Sequence, residues 1–178
     1  MQPEITYETV DRVLARWVPY MSETDFAIVR EFAYKTANHI PCDKMLVFYG
    51  QGGTGKTSLT KDIISLIGEE NTANEFFPSY LEEEEEEDVE PPYMKQLIVC
   101  NLNEYMHNYK CEFSEFGSHI KMILSRTFHF TRKPNQKEKL YIPTANIILV
   151  HIGDDIIDFG KTLMMRTNFI HFTHRFNA

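Results

Sequence analysis

Apolar residues fall along this chain in two rhythms. Residues 45–49 (Met-Leu-Val-Phe-Tyr), 95–100 (Lys-Gln-Leu-Ile-Val-Cys) and 145–150 (Ala-Asn-Ile-Ile-Leu-Val) are short runs dominated by apolar residues. Such runs predict strands buried on both faces. Residues 168–173 alternate and predict a final strand, and residues 74–80, with Phe76, Phe77 and Tyr80, suggest a short one. Helical spacing predicts the intervening elements. Residues 7–17 put Val10, Val13, Leu14 and Trp17 on one face, and Pro19 is expected to end that helix. Ser22-Glu23-Thr24-Asp25 reads as a capping box opening a second helix that buries Phe26, Val29, Phe32, Ala33 and Thr36 or Ala37, closed by Pro41. Residues 58–67 and 113–124 repeat the spacing, the latter through Phe113, Phe116, Ile120, Ile123 and Leu124, and Gly68 is placed to cap the former. Strands alternating with helices predict an α/β fold: a central, mainly parallel sheet flanked by helices. A helical segment over 1–41 precedes a core domain over 42–178. That segment reads as packing around the core, with a subunit-contact or nucleic-acid-contact subdomain as the alternative.

Between the first strand and its helix stand Gly50, Gln51, Gly52, Gly53, Thr54, Gly55, Lys56 and Thr57, followed by Ser58. The first eight fit G-x-x-x-x-G-K-S/T, the phosphate-cradling P-loop. Strand, glycine loop and helix together turn the pattern into a mechanism. The glycines allow backbone N–H groups to turn inward on phosphates at a helix N-terminus. Lys56 would reach the β- and γ-phosphates, and the Thr57 hydroxyl would ligate Mg²⁺. A nucleoside triphosphate, ATP, is the expected ligand.

Composition narrows this only a little. The chain has 178 residues, 43% of them hydrophobic, with a mean hydropathy of −0.35. No apolar run reaches the length of a membrane-spanning helix, and the first residues lack a signal-peptide pattern. Cys42, Cys100 and Cys111 are widely spaced and odd in number, which suggests free thiols in a reducing compartment and an intracellular, unsecreted protein. The net charge of −8 comes almost wholly from Glu82 to Glu87 and Asp88, in a stretch (81–92) read as a flexible acidic surface loop. The rest of the chain is near neutral, so a nucleic-acid partner is not excluded.

The remaining candidates lie at strand ends, where ligands bind in open α/β sheets. The second strand leads into Asn101-Leu102-Asn103-Glu104. Asn101 occupies the usual position of the Walker B acid, and Glu104 is the first carboxylate; both are candidate Mg²⁺ neighbours. The third strand leads into His151-Ile152-Gly153-Asp154, so His151 or Asp154 would sense the γ-phosphate. Residues 126–139 carry Arg126, Arg132, Lys133, Lys137 and Lys139 against one acid, with Phe128, His129 and Phe130 interleaved and a turn at Pro134-Asn135. A basic hairpin with aromatics suits a single strand, cations on phosphates and rings on bases, though an ordinary solvated hairpin reads the same way. Arg166 is a candidate arginine finger for a neighbouring subunit's nucleotide, whereas Arg175 reads as a surface arginine. His107-x-x-x-Cys111 and His171-x-x-His174 have ligand-like spacings but no second pair at zinc-site distance.

The order of these pieces resembles superfamily 3 helicases, the ATPase domains of small-virus replication proteins. The resemblance runs over roughly residues 45 to 176. It is carried by residues 50–57, by Lys-Glu-Lys-Leu-Tyr-Ile-Pro-Thr-Ala-Asn-Ile-Ile-Leu-Val leading into the third strand, and by Lys-Thr-Leu-Met-Met-Arg-Thr-Asn-Phe-Ile. Two departures stand out: Asn101 and Glu104 where the family has paired acids, and His151 to Asp154 where motif C ends in asparagine. The resemblance implies an AAA+-like ATPase, a hexameric ring with nucleotide between subunits, and a basic hairpin in the pore gripping single-stranded nucleic acid, DNA more than RNA. It also implies a place in viral genome replication inside an infected host cell, in the nucleus for a DNA virus. Asn101 motivates an alternative, a degenerate ATPase that binds nucleotide to oligomerise. A small nucleoside or nucleotide kinase fits the chain's size, but has no obvious arginine-rich lid and no use for the hairpin.

Overall fold

A computed structural model describes residues 4–74, 92–109, 113–126, 129–131 and 139–176. The strands are β1 (Met45–Gly50), β2 (Thr72–Ala73), β3 (Leu97–Asn101), β4 (His129–Thr131), β5 (Lys139–Tyr141), β6 (Asn146–Ile152) and β7 (Thr167–His171). The α-helices are α1 (Tyr7–Leu14), α2 (Glu23–Ala37), α3 (Lys56–Ile67), α4 (Leu102–Tyr109), α5 (Phe113–Leu124) and the one-turn α6 (Lys161–Met164). Five strands form one sheet in the order β2-β3-β6-β1-β7, every neighbouring pair parallel. β4 and β5 make a separate antiparallel pair.

The apolar runs are continuous because both faces of the sheet are covered. Side chains alternate across a strand. Leu46 and Phe48 of β1 therefore join Ile148 and Val150 of β6 beneath α1, α2 and α3. Met45 and Val47 join Ile147 and Leu149 on the other face, against Leu102 and Tyr105 of α4 and Phe116, Ile120 and Ile123 of α5. Each fully buried Leu, Ile or Phe contributes roughly 1.5–3 kcal/mol, so these two layers hold the sheet between its helices. Val10, Leu14, Trp17, Val29, Phe32 and Ala33 share a cluster with β1, so the helices of the 1–41 segment are a wall of the same core.

Local signals set several boundaries. The Ser22 hydroxyl accepts the Asp25 N–H at 3.0 Å and opens α2. Gly68, at φ +94°, ends α3. The expected stop at Pro19 is corrected. α1 already ends at Leu14, and residues 15–20 continue as a 3₁₀ helix with Pro19 inside it. The tighter winding keeps Trp17 turned into the core, where it is 3% exposed. One edge strand of the sheet is Thr72–Ala73, ahead of the strand expected at 74–80, of which residues 75–80 lie outside the described residues. The acidic stretch up to residue 91 also lies outside them, as does Cys111.

One buried amide ties the start of β6 to its surroundings. Asn146 donates to the Thr36 hydroxyl and the Ile40 carbonyl, each at 3.0 Å. Its Oδ1 accepts from the Cys42 N–H at 2.8 Å and from the Arg126 guanidinium at 2.9 Å. Arg126 also donates to the carbonyls of Ala145 (2.6 Å) and Pro143 (3.3 Å). Arg126, read from the sequence as a nucleic-acid contact, is thus engaged by the protein's own backbone and amide. Its backbone turns left-handed (φ +53°) just after α5, and its half-buried guanidinium is taken up by the entry to β6.

Asn146→Leu would strand these buried donors and acceptors, so urea denaturation followed by Trp17 fluorescence should report a loss of about 3 kcal/mol. Burial also pushes the Cys42 thiol up to about 11. Cys42 should therefore resist iodoacetamide at pH 8 in the native protein and react once unfolded.

Candidate nucleotide-binding site

All five sheet strands run the same way, so their carboxyl ends form one rim. β6 lies between β1 and β3, which places His151 beside Tyr49 and Val150 beside Asn101. Gly50 and Gly153 bond reciprocally at 2.8 and 3.2 Å, locking the exits of β1 and β6 together. The glycine loop springs from this rim into α3.

Lys56 folds back into the loop. Its ammonium donates to the carbonyls of Gly50 and Gln51, both at 2.6 Å, and to the Thr54 hydroxyl at 3.0 Å. The residue is 5% exposed. Among the described residues no carboxylate comes within ion-pair distance of it, and burial lowers its pKa, opposed by the charge of Asp154. A buried ammonium held only by neutral oxygens is a fixed positive charge that a phosphate would complete. A Cβ on Gly52 or Gly53 would meet nothing within 4 Å, so the loop's outer side is open to a ligand. The loop thus fits a polyphosphate.

Two of the loop's glycines are required for different reasons. Gly50, at φ +135°, is crossed so closely by the Phe172 carbonyl that a Cβ would collide with it. Gly55, at φ +93°, lies under Trp17 and Phe176, whose rings would stand 2.9 and 2.8 Å from a Cβ. The segment after β7 makes this approach: the Phe172 N–H donates to Tyr49 at 2.8 Å and the Phe176 N–H to Gly53 at 3.1 Å.

Asp154 stands at the mouth of the loop. It accepts from the Gln51 amide and pairs with His171 at 3.6 Å. The Gln51 hydrogen bond first, then His171, hold its carboxyl below the ordinary 3.8. Ionised at neutral pH, Asp154 accepts bonds and orients Gln51, whereas only His151 of the two candidates has an N–H to offer a phosphate. Burial first, and then the charge of Lys56, lower the pKa of His151 below 6.5. His151 is therefore neutral at pH 7. The unfolded chain protonates first as pH falls, so the stability linked to this group is present above 6.5 and lost below it.

Asn101 ends β3, and its Oδ1 faces the N–H groups of Asn103 (3.2 Å) and Glu104 (3.5 Å) as a cap on α4. Glu104 is exposed in the first turn of that helix. Thr57 and Ser58 are exposed in the first turn of α3. Any Mg²⁺ would draw on the Thr57 hydroxyl and the Glu104 carboxylate, with the remaining oxygens from nucleotide and water. Among the described residues no group of three or more His, Cys, Asp or Glu could hold a metal by itself.

Other candidates lie apart. The carbonyl of Arg166 accepts from Met45, the first residue of β1, so Arg166 sits at the end of the sheet opposite the loop. It is about 17 Å along the strand from the loop, too far to touch a nucleotide held there. His171 turns to Asp154 while His174 packs on Tyr20, so the two histidines do not converge. Lys139 opens β5; Arg132, Lys133 and Lys137 lie outside the described residues.

Sequence reasoning missed two residues. Asn103 accepts from the Ile152 N–H at 2.8 Å and donates to its carbonyl at 3.4 Å, joining the rim ends of β3 and β6. Nothing local signals this. Arg175, read as a bystander, lies close enough to Asp154 to help lower its pKa, on the loop's side of the sheet. The available signal was directional: a last strand parallel to β1 must deliver its following residues to the loop.

No protein-family model and no curated protein matches the sequence. Solved structures do match in fold. The NrS-1 C-terminal region aligns with a TM-score of 0.58 and 18% identity over 98% of this chain. JCV helicase bound to an acetamide compound aligns with a TM-score of 0.51 and 13% identity over 94% of it. The chain spans 39% and 46% of those two chains. At these identities the likeness is one of fold: an α/β, helicase-like fold with a five-strand parallel sheet.

In an NMR titration the His151 ring should show a midpoint below 6.5, and Lys56→Met should raise it by removing the neighbouring cation.

Proposed function

We propose that this chain is the ATP-hydrolysing motor of a superfamily 3 helicase or translocase, acting on single-stranded nucleic acid, DNA above RNA, in viral genome replication. The observation that carries the reading is the buried Lys56 ammonium in a glycine loop at the rim of a parallel sheet, held by neutral oxygens alone. The fold likeness to a viral helicase supports it.

In this reading residues 50–58 wrap the phosphates and Lys56 exchanges loop carbonyls for phosphate oxygens. Bound Mg²⁺ would neutralise phosphate charge. Glu104 orients the attacking water, and neutral His151 donates to the γ-phosphate. A hexameric ring would bring Arg166 of one subunit to the nucleotide of the next. The hairpin of β4 and β5, with Arg132, Lys133, Lys137 and Lys139, would grip the strand.

A second reading is favoured by the Asn101 amide, which caps α4 at the usual place of an acid. There the chain binds nucleotide in order to assemble and turns it over slowly or not at all.

Lys56→Ala should abolish nucleotide binding. Glu104→Gln should keep binding and lower ATP turnover by about 100-fold or more, the scale of a lost catalytic base. Unchanged turnover in Glu104→Gln would favour the assembly reading. Single-stranded DNA should stimulate the wild-type ATPase, and Lys133→Ala with Lys137→Ala should remove that stimulation.

A further inference from the structure

Beside the loop is a cluster of rings that phosphate binding does not explain. Tyr20 and His174 pack at 4.6 Å with planes 32° apart. Phe176 lies 4.8 Å from Tyr20 and 4.9 Å from His174, edge-on to both. Beneath them Trp17 is buried, with Phe176 5.9 Å away. Tyr20 and Phe176 remain 43% and 39% exposed.

The cluster is fixed to the loop. The Phe176 N–H holds the Gly53 carbonyl at 3.1 Å, and Trp17 and Phe176 crowd Gly55. Trp17 is anchored by its indole N–H on Asp62 of α3 at 2.6 Å. Arg16 pairs with the same carboxylate at 2.7 Å. The charged groups around Trp17 are thus spent on each other. Ring surface of Tyr20, His174 and Phe176 therefore faces solvent beside the loop.

We propose that Tyr20, His174 and Phe176 form a stacking platform for the nucleobase of the nucleotide held by the loop, so that the site takes purine triphosphates with little regard to which purine. This rests on the loop being a phosphate site. Every base has a π-face, and a platform of faces reads stacking area rather than the hydrogen-bonding edge. Adenine and guanine would therefore be held alike, while a bare polyphosphate would lose the stack. The residues come from opposite ends of the described chain, so the base would clamp the segment at 15–20 to the segment after β7.

The test is equilibrium binding to the full chain by calorimetry, using ATP, GTP and inorganic tripolyphosphate. The proposal expects ATP and GTP to bind within about 10-fold of each other and tripolyphosphate to bind about 10-fold or more weaker, the scale of one base–aromatic stack. Tyr20→Ala should weaken ATP and GTP together by about 10-fold and leave tripolyphosphate unchanged. The unchanged tripolyphosphate also reports an intact loop, and His174→Ala should act in the same direction. A larger preference for one purine overturns the platform, as does an ATP affinity equal to that of tripolyphosphate, or a Tyr20→Ala variant that binds ATP as well as wild type. In those cases the phosphate reading survives. If wild type binds none of the three, the phosphate reading fails and the platform with it.

Discussion

A buried ammonium is the constraint around which this site is built. Taking a charge out of water is costly unless oxygens replace the water. Lys56 finds those oxygens in the Gly50 and Gln51 carbonyls and the Thr54 hydroxyl. They stand in place only because β1 ends at a fixed point, and that point is fixed by the bonds of Gly50 with Gly153 and of Tyr49 with Phe172. The loop is therefore a product of β1's neighbours on both sides. A phosphate would take over oxygens' positions around a charge already in place, with little rearrangement of the protein to oppose binding.

Strand order converts this into a site with several contributors. Because β6 is inserted between β1 and β3, three strand ends line one rim, and His151 lies next to the lysine while Asn101 and Glu104 lie one strand further away. Asn103 holds the second and third of these ends together through the Ile152 backbone. The parallel edge strand β7 brings Phe172, His174, Arg175 and Phe176 to the same rim from the other side. At the opposite end of the sheet, Asn146 and Arg126 gather α2, α5 and the entry to β6. The two ends thus divide labour: one satisfies the buried Asn146 amide, and the other leaves a charge for a ligand.

Much of this was legible in the residues themselves. Continuous apolar runs announced strands covered on both faces, and β1, β3 and β6 lie where those runs do. Ser22 and Gly68 marked helix ends, because caps act through bonds a few residues long. The glycine pattern and Lys56 marked the loop for the same reason: its geometry is a matter of adjacent φ angles and one following side chain.

What only the tertiary structure decided is long-range. No periodicity says that β6 pairs with β1 and β3 on its two sides, since pairing depends on which apolar faces stack in three dimensions. Arg126 looked like part of a basic hairpin, and its sequence neighbours still look that way. Its left-handed turn after α5 instead brings its guanidinium to carbonyls at residues 143 and 145, where desolvation makes those bonds worth forming. Trp17 read as one more core residue and His174 as half of a ligand-like spacing, while nothing local marked Tyr20 or Phe176. Folding brings residues from both ends of the chain over Gly55, whose lack of a side chain admits them. Local chemistry determined that a glycine loop closes around a buried lysine; the parallel packing of distant strands determined what surrounds it.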